Sequence, residues 1–328
     1  MLHVDKKATF GRVLLLIVTI VWGSSFIVLK DTLSTLGNGH FTFFILALRF
    51  LISGIILALI CYKKLISIKK STFLKGLILG FILFGAYSVQ TVGLKYTTAS
   101  KNAFLTAVYV VLVPFLAWLF LSKKPLLRNY IGAGICLVGI AFVAIVGKNE
   151  HVSNELIGDS LSVLSGVFYA LQIIFISKHT ENEDAIQLLI VEIFTVAVLC
   201  AIVTSTLEFP FYGSQFTIPH GFVGKILYLA LACTLFAQFG QMIAQKYTPP
   251  MSVALIFSLE SVFGVLFEIL LGEARITGYM IVGFVLIFIA EIVSEIGIKK
   301  LLSVFKRQDE DARTSVAEHI NLEKTNEN

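Results

Sequence analysis

The sequence predicts an all-α integral membrane protein with ten transmembrane helices, arranged as two five-helix repeats of inverted topology. Three observations lead to this fold class. Hydrophobic residues make up 57% of the 328 residues and charged residues only 14%, whereas a soluble protein carries about 25% charged residues. Ten apolar segments are each long enough to cross a membrane, and the two halves of the chain contain matching segments. With a mean hydropathy of +0.88, the chain requires lipid as its solvent.

Each apolar segment offers roughly 20 residues, which an α-helix needs to cross a hydrocarbon core about 30 Å thick. The first segment follows basic residues, as a signal peptide would, but no small-residue cleavage site comes after it, so we expect a retained helix. The segments cover residues 12–30, 41–62, 73–94, 101–121, 128–147, 157–177, 185–206, 222–245, 251–271 and 276–298.

The basic residues between these segments predict the orientation. Cytoplasmic loops are enriched in lysine and arginine, and sixteen such residues fall on the side of the N-terminus against five on the other side. We therefore expect a multi-pass protein of the cell membrane with both termini in the cytoplasm. The predicted organisation is a cytoplasmic N-terminus (1–11), a first repeat (12–147), a second repeat (157–298) and a polar cytoplasmic tail (299–328).

The internal repeat rests on two matches in the same order. Residues 90–97 (QTVGLKYT) match residues 241–248 (QMIAQKYT) at a shift of 151, and residues 29–32 match 177–180 at a shift of 148. Because five is odd, the second copy enters the membrane from the opposite side to the first. Inverted repeats are common in secondary transporters, where they supply two oppositely facing gates around a site near the membrane midplane. Duplication as a simple way to build a helix bundle is the alternative.

Several short motifs resemble the EamA-type repeat of the drug/metabolite transporter superfamily. The similarity extends over about residues 12–297, and it implies that helices one, three, four, six, eight and nine enclose a central cavity. The motifs are Val21-Trp22-Gly23-Ser24-Ser25-Phe26, Ala47-Leu48-Arg49-Phe50, Gly93-Leu94-Lys95-Tyr96-Thr97, the segment from Tyr109 to Pro114, Ser258-Leu259-Glu260 and Leu271-Gly272-Glu273.

Polar residues inside the apolar segments are the candidate binding residues, because polar groups at membrane depth are costly and rarely face lipid. As a set, they predict a cavity with amide, hydroxyl and indole edges and little charge, which suits a small amphipathic or zwitterionic solute. Each could equally form a hydrogen bond between helices. The candidates are Trp22, Ser24, Gln90, Asn102, Thr106, Tyr109, Gln172, Gln238, Gln241 and Glu260.

Two charged residues lie deep in their segments. Glu260 is near the middle of the ninth segment, where it is either a proton-titratable group that couples transport or a carboxylate that fixes helix packing. Arg49 lies about eight residues into the second segment, and we expect a structural ion pair or carbonyl clamp there. Glu192 and Glu268 are nearer to helix ends, which favours solvated or packing roles.

The sequence contains none of the common catalytic, nucleotide-binding or metal-binding motifs. The six histidines lie in predicted loops or tails without ligand spacing, and the four cysteines are scattered singly in apolar stretches. We expect no enzyme activity, no cofactor and no bound metal. A channel is a weaker alternative, since no pore-loop signature or ring of charges is present.

These observations predict a secondary transporter that moves a small organic metabolite or drug-like solute by alternating access. An amino acid or related zwitterion is a candidate substrate, and export is favoured over uptake, with or without coupling to protons. An uncoupled exchanger or facilitator is the alternative. Membrane lipid and the small-molecule substrate are the expected partners, nucleic acid is not, and the chain is expected to act as a monomer or a homodimer.

Overall fold

The computed structural model describes residues 6–145, 155–272 and 277–296, and every regular element in these ranges is helical. The predicted polar tail (299–328) and the first five residues lie outside the described residues. The helices are, in chain order, α1 (Lys6–Thr35), α2 (Thr42–Ile60), α3 (Tyr62–Leu65), α4 (Lys70–Lys95), α5 (Ala99–Thr106), α6 (Tyr109–Leu121), α7 (Leu127–Ile145), α8 (Glu155–Thr180), α9 (Ala185–Val203), α10 (Phe209–Tyr212), α11 (Phe222–Ala230), α12 (Ala237–Gln245), α13 (Pro250–Leu270) and α14 (Gly278–Ile296).

In the described chain, eight helical segments are long and apolar enough to cross a membrane. They contain α1, α2, α4, α5 with α6, α8, α9, α11 with α12, and α13, and each coincides with a predicted segment. Two shorter apolar segments, Leu127–Phe142 and Gly278–Ser294, correspond to the predicted fifth and tenth helices. The structure therefore supports a multi-pass, all-helical membrane protein, while the count of ten crossings stays a prediction.

The helix pairings are nearly unchanged when the two halves of the chain are exchanged. The helices of the first half match those of the second half in chain order: α1 with α8, α2 with α9, α4 with α11–α12, α5–α6 with α13, and α7 with α14. With this matching, the contact between α1 and α13 corresponds to the contact of α8 with α5 and α6. The α4–α9 contact likewise corresponds to the packing of α2 against α11 and the turn that follows it. The α2–α9 and α7–α14 contacts each join two matching helices, so exchanging the halves leaves both contacts unchanged. The halves therefore pack as a pseudo-symmetric pair.

Glycines allow the closest of these contacts. On α4, a Cβ atom added at Gly76 would come within 2.6 Å of the Val191 Cβ atom of α9, and one added at Gly80 within 2.4 Å of the Thr195 Cβ atom. These two glycines are four residues apart, so they lie on one face of the helix. Small residues at this spacing let membrane helices approach until their backbones nearly touch.

Polar side chains join the two halves at one face of the bundle, next to the loop between α8 and α9. Glu183 in this loop accepts hydrogen bonds from Ser71 Oγ (2.8 Å) and Lys75 Nζ (2.5 Å) of α4 and also one from Thr72. Asp184 forms an ion pair with Lys64. We call this set of contacts the Glu183 clasp.

The hydrogen bonds of the clasp change the acidity of both carboxyl groups, which lie in a loop outside the spanning helices. The Lys75, Thr72 and Ser71 donors lower the pKa of Glu183 to about 2. Partial burial acts to raise the pKa of Asp184, but hydrogen bonds from Lys64 and the backbone N–H of Gln187 outweigh it, so that the pKa is lower than usual. Both groups are therefore ionised in the assembled clasp near neutral pH.

A second group of contacts joins the halves at the opposite face. Lys101, near the start of α5, forms an ion pair with Asp159 of α8 at 2.7 Å. Lys225 of α11 pairs with Asp31 of α1. The Glu268 carboxylate near the end of α13 accepts a hydrogen bond from the Ser100 backbone N–H at 3.1 Å. Both ends of the bundle thus carry polar contacts between the two halves.

Candidate functional site

An enclosed cavity lies between the two halves, where α1, α4, α8 and α13 approach each other. Its walls are largely aromatic and apolar, with a small number of polar groups. The lining residues are Trp22, Ser25, Phe26, Leu29, Arg49, Tyr87, Gln90, Leu94, Thr106, Tyr109, Tyr169, Ile173, Gln241, Phe257 and Glu260.

The structure brings part of the predicted set of residues to this cavity. Trp22, Gln90, Thr106, Tyr109, Gln241 and Glu260 line it, together with Arg49. The other four candidates do not line the cavity. Ser24 shares a hydrogen bond with the Tyr228 hydroxyl (2.5 Å), Asn102 donates to Ser162 Oγ (2.7 Å), and Gln172 donates to Glu192. Gln238 donates to the hydroxyl of Tyr87 (3.3 Å), which is itself a residue of the wall.

Gln90 and Gln241 occupy matching positions in the two repeats and both reach the cavity. The Gln90 side chain is held by its neighbours, since its Oε1 atom accepts a hydrogen bond from the Tyr169 hydroxyl (2.8 Å) and its Nε2 atom donates to Thr106 Oγ1 (3.3 Å). Thr106 is in turn within 3.0 Å of Ser165 Oγ. This network fixes the α4 amide against α8, so that its position in the wall is defined.

Arg49 is almost completely buried, at 1% exposure, and its contacts are with neutral groups. Its Nε atom donates to Thr234 Oγ1 at 2.7 Å and its terminal nitrogen to the Cys233 carbonyl at 3.4 Å. The guanidinium also lies over the rings of Tyr87 (5.0 Å) and Phe50 (5.7 Å), where a cation is attracted by the π electrons. The positive charge thus contributes to the cavity wall without an acidic partner in the described chain.

A π-helical turn makes the acceptors for Arg49 available. Between α11 and α12, residues Leu231–Phe236 form hydrogen bonds of wider spacing than an α-helix, and such turns are frequent at functional sites. The Cys233 carbonyl accepts a hydrogen bond from Trp22 Nε1 at 3.0 Å, and the Ala230 carbonyl accepts one from Ser53 Oγ at 2.7 Å. The predicted eighth helix is therefore tied to α1 and α2 through its irregular backbone.

The predicted fourth helix is also irregular beside the cavity. It is interrupted at residues 107–108, between α5 and α6, and the residues on either side of the interruption, Thr106 and Tyr109, both line the cavity. Pro114 in α6 has no N–H to donate to the Val110 carbonyl, which weakens this part of the helix. Gly166 of α8 lies against the interruption, because an added Cβ atom would come within 2.5 Å of the Thr106 carbonyl oxygen.

Glu260 lies on the cavity side of α13 with its side chain partly buried. The described residues provide its carboxylate with no hydrogen-bond or ion-pair partner. Its neighbours in the wall include Trp22 and Phe257, whose rings meet edge to face with centroids 5.0 Å apart. A carboxylate left free at membrane depth is available to a cationic group of a solute or to a proton.

Two tyrosines and several apolar residues of the wall are not among the residues predicted from the sequence. Tyr87 lies one helical turn before Gln90, and Tyr169 one turn before Gln172, so helical periodicity from the chosen glutamines would have found both. The apolar members carried no such signal, because their residue types are the same as those that face lipid. They include Phe26, Leu29, Leu94, Ile173 and Phe257.

The cavity has a volume of about 40 Å³, and a single water molecule requires about 10–15 Å³ by the same measure. In this conformation it therefore holds a few water molecules. Sites for drug-sized ligands typically measure about 300–1,000 Å³. The cavity of this conformation is therefore too small for an organic solute of that size.

A wider, polar crevice opens near the Glu183 clasp, with a volume of about 550 Å³. Its walls include Gln245 and Lys246 at the end of α12, and Lys7 and Lys123. Gln245 lies one helical turn beyond Gln241, so amide side chains line one side of α12 between the cavity and the crevice. Among the described residues, no group of three or more histidine, cysteine, aspartate or glutamate side chains could hold a metal ion.

Comparison with known proteins relates both halves of this architecture to one family. An uncharacterized transporter of Archaeoglobus fulgidus is 29% identical over 287 residues, which cover 88% of this chain and 86% of the relative. The uncharacterized transporter YvbV of Bacillus subtilis is 25% identical over 227 residues, covering 68% and 71% of the two chains. One crystal structure superposes with a TM-score of 0.72 at 13% identity, over 89% of this chain and 98% of the other, which shows a shared fold.

The family itself is shown by a match that extends over nearly all of the helical bundle. The model of the EamA-like transporter family matches the chain twice, over residues 9–145 and 156–294. These two ranges correspond to the halves whose helix pairings exchange, and the resemblance seen in the sequence motifs is thereby confirmed. The chain belongs to the EamA-like transporter family.

Proposed function

We propose that this transporter is a secondary carrier for a small zwitterionic solute, such as an amino acid or a related metabolite, and that it works by alternating access. The observation that carries the proposal is the pair of unlike charges in the cavity wall. Arg49 and Glu260 both line the cavity, yet each is without an ionic partner in the described chain.

The chemistry of the wall suits a solute with separated charges. A solute carboxylate would pair with the Arg49 guanidinium, whose planar donors match carboxylate geometry. A solute ammonium group would meet the Glu260 carboxylate, and its apolar part would contact Trp22 and Phe257. A phosphate ester would instead call for several clustered lysines or arginines, and Arg49 is the sole basic residue of the wall.

Alternating access follows from the pseudo-symmetric packing. Ten helices in two repeats of inverted topology would give each face of the membrane an equivalent gate around the same midplane site. The exchange of helix pairings between the halves supports this arrangement. The small volume of the cavity fits an occluded conformation of such a cycle.

We further propose that the Glu183 clasp and the lysine-lined crevice face the cytoplasm, in agreement with the distribution of basic residues. The amides of Gln241 and Gln245 would then line the route between the cavity and the cytoplasm. Export driven by protons that bind to Glu260 is the favoured mode. An uncoupled exchanger is the second candidate, because Arg49 and Glu260 together would match the two charges of a zwitterion without a proton.

Counterflow in reconstituted vesicles tests the carrier function. Vesicles that contain the purified protein are loaded with a mixture of unlabelled amino acids, and the uptake of each labelled amino acid is followed. We expect saturable uptake that requires the internal amino acids and fails in protein-free vesicles. Uptake that is linear with concentration and indifferent to internal solute would indicate a channel. If no zwitterion is exchanged but an organic cation or anion is, the proposed substrate class is wrong.

A further inference from the structure

Glu192 and Gln172 form a polar pair between α9 and α8, and neither residue lines the cavity. Both side chains are completely buried, at 0% exposure. The Gln172 Nε2 atom donates a hydrogen bond to the Glu192 Oε1 atom. The sequence favoured a solvated or a packing role for Glu192, and its complete burial excludes the solvated one.

Each partner of this pair has one further oxygen atom without a hydrogen bond. These atoms are Oε2 of Glu192 and Oε1 of Gln172, and both are inaccessible to solvent. Two buried oxygens on facing groups are both acceptors if the carboxyl group is ionised. In that case each would lack a donor, which is costly for a buried neutral group and more costly for a charged one.

The surroundings of Glu192 do not compensate a negative charge. On the elements around α9, Arg49 of α2 is bound to Thr234 and Cys233, and Lys75 of α4 is bound to Glu183. The other titratable groups described on these elements belong to tyrosines 62, 87 and 169, lysines 63, 64, 70, 95 and 178, cysteines 200 and 233, His179, Asp159 and Glu208. No hydrogen bond or ion pair joins any of them to Glu192 in the described chain. Gln172 is its single hydrogen-bond partner in the described chain.

We propose that Glu192 and Gln172 form a proton-binding site in which Glu192 is a neutral carboxylic acid. The proton on Oε2 turns this atom into a donor, and the unpartnered amide oxygen of Gln172, on the group already bonded to Oε1, would be its acceptor. One proton thereby gives a hydrogen bond to both of the unpartnered oxygens. The pair then becomes a cyclic acid–amide pair with two hydrogen bonds, which is compatible with complete burial at membrane depth.

A metal cation is a poorer occupant of the same site. Sodium and other hard cations require several oxygen ligands, as the six to eight of calcium illustrate, whereas this pair offers two free oxygens. No group of three or more histidine, cysteine, aspartate or glutamate side chains that could hold a metal ion occurs among the described residues.

The site links protonation to the packing of two helices. Any movement that separates α8 from α9 would take the Gln172 amide away from the acid, and the acid would lose the acceptor of its proton. This consequence differs from the role proposed for Glu260, which faces the cavity and would bind its proton there. The protein therefore has two separate positions at which a proton can be held.

Infrared spectroscopy of the purified full-length protein in lipid nanodiscs tests the proposal without requiring a transport substrate. At neutral pH, the difference between wild type and E192Q should contain the carbonyl-stretching band of one protonated carboxylic acid, lost in the variant. The matched control is E260Q, which should retain this band. In Q172L, the band should persist and move to higher frequency, because the acid has lost its hydrogen-bond partner.

The infrared spectra distinguish a neutral Glu192 from an ionised one. A carboxylate signal, rather than an acid band, in the difference between wild type and E192Q would show that Glu192 is ionised and would overturn the proposal. Failure of E192Q to fold while E260Q folds would also overturn it, because a neutral isostere should replace a neutral acid. An acid band that appears only when sodium is replaced by choline would point to a sodium site instead.

Discussion

Glu260 has a partly buried carboxylate on the cavity wall, free of hydrogen bonds from the described residues. If this carboxylate couples transport to protons, replacing it with an amide removes the titratable group and preserves its shape. Glu260→Gln should abolish accumulation driven by a pH gradient. Exchange should fall by no more than about tenfold, since a neutral hydrogen bond is weaker than a charged one by about 1–1.5 kcal/mol.

The control for this experiment is Glu268→Gln on the same helix. Glu268 accepts a hydrogen bond from the Ser100 backbone and lies outside the cavity wall, so gradient-driven transport should persist in this variant. Both variants are measured in reconstituted vesicles with and without an imposed pH gradient. If the Glu260→Gln variant still accumulates solute in response to a pH gradient as the wild type does, the uncoupled exchanger is favoured.

Only some of the polar residues predicted from the sequence line the cavity. Gln90 and Gln241 were recognisable because the repeat relates them, and both line the cavity. Asn102 and Gln172 looked equivalent in the sequence, but they face other helices, since the rotation of an almost uniformly apolar helix leaves little trace in its pattern. The sequence reveals a polar group at membrane depth, while its partner becomes visible only in the structure.

At the scale of helices, the contact between α7 and α14 depends on glycine. A Cβ atom added at Gly139 would lie 2.8 Å from the Leu286 Cβ atom and 2.9 Å from the Gly283 carbonyl oxygen, and backbone atoms cannot move aside. Gly139→Val should therefore force the two helices apart and destabilise the protein by about 1–3 kcal/mol, as overpacking generally does. The effect is measured as a lower unfolding temperature in detergent.

Gly134 on the same helix is the matched control. It is exposed, and an added Cβ atom would meet no heavy atom within 4 Å. Gly134→Val should consequently leave the unfolding temperature almost unchanged. Equal destabilisation by both substitutions would mean that valine harms the helix itself, independently of its packing against α14.

The Glu183 clasp predicts a dependence of stability on pH. The pKa of Glu183 is about 2 in the folded protein, against an ordinary value of 4.5. A carboxyl group with a lowered pKa stabilises the folded state at pH values above the ordinary pKa, and this contribution is lost as the pH falls from about 4.5 towards 2. In wild type, the unfolding temperature should decrease over this range.

Glu183→Gln should show a smaller decrease over the same pH range, because it has no carboxyl group to protonate in the clasp. Asp184 retains its lowered pKa and its pairing with Lys64, so part of the decrease should remain. Thermal unfolding in detergent between pH 6 and pH 3 measures both slopes, the range being set by the ordinary pKa values. Identical slopes in the two proteins would show that the clasp contributes nothing to stability in solution.

The sequence predicted the helices better than their irregularities. Pro249 and Pro250 mark a helix boundary in the sequence, because proline suits the first turn of a helix, and α13 begins at Pro250. The π-helical turn at Leu231–Phe236 had no such marker, because it depends on donors from Trp22, Arg49 and Ser53 on other helices. Local chemistry determines where a helix ends, whereas tertiary contacts determine where it deforms inside the membrane.

For the whole molecule, the two repeats are predicted to lie in the membrane with opposite orientations. The excess of lysine and arginine on one side predicts that the loop between α2 and α4 is cytoplasmic and that the segment between α10 and α11 faces outwards. Lys69 and Ser214 are exposed in these two segments. Single cysteines at the two positions therefore report the orientation of both halves at once.

The experiment starts from a variant in which the four natural cysteines, of which Cys61 is the most exposed, are replaced by serine or alanine. A membrane-impermeant maleimide should label Ser214→Cys in intact cells, and it should label Lys69→Cys only after the membrane is permeabilised. The reverse pattern would put the Glu183 clasp on the outer face and the route along α12 at the outer gate. Labelling of both positions in intact cells would contradict the inverted repeat, since the two segments would then share one side of the membrane.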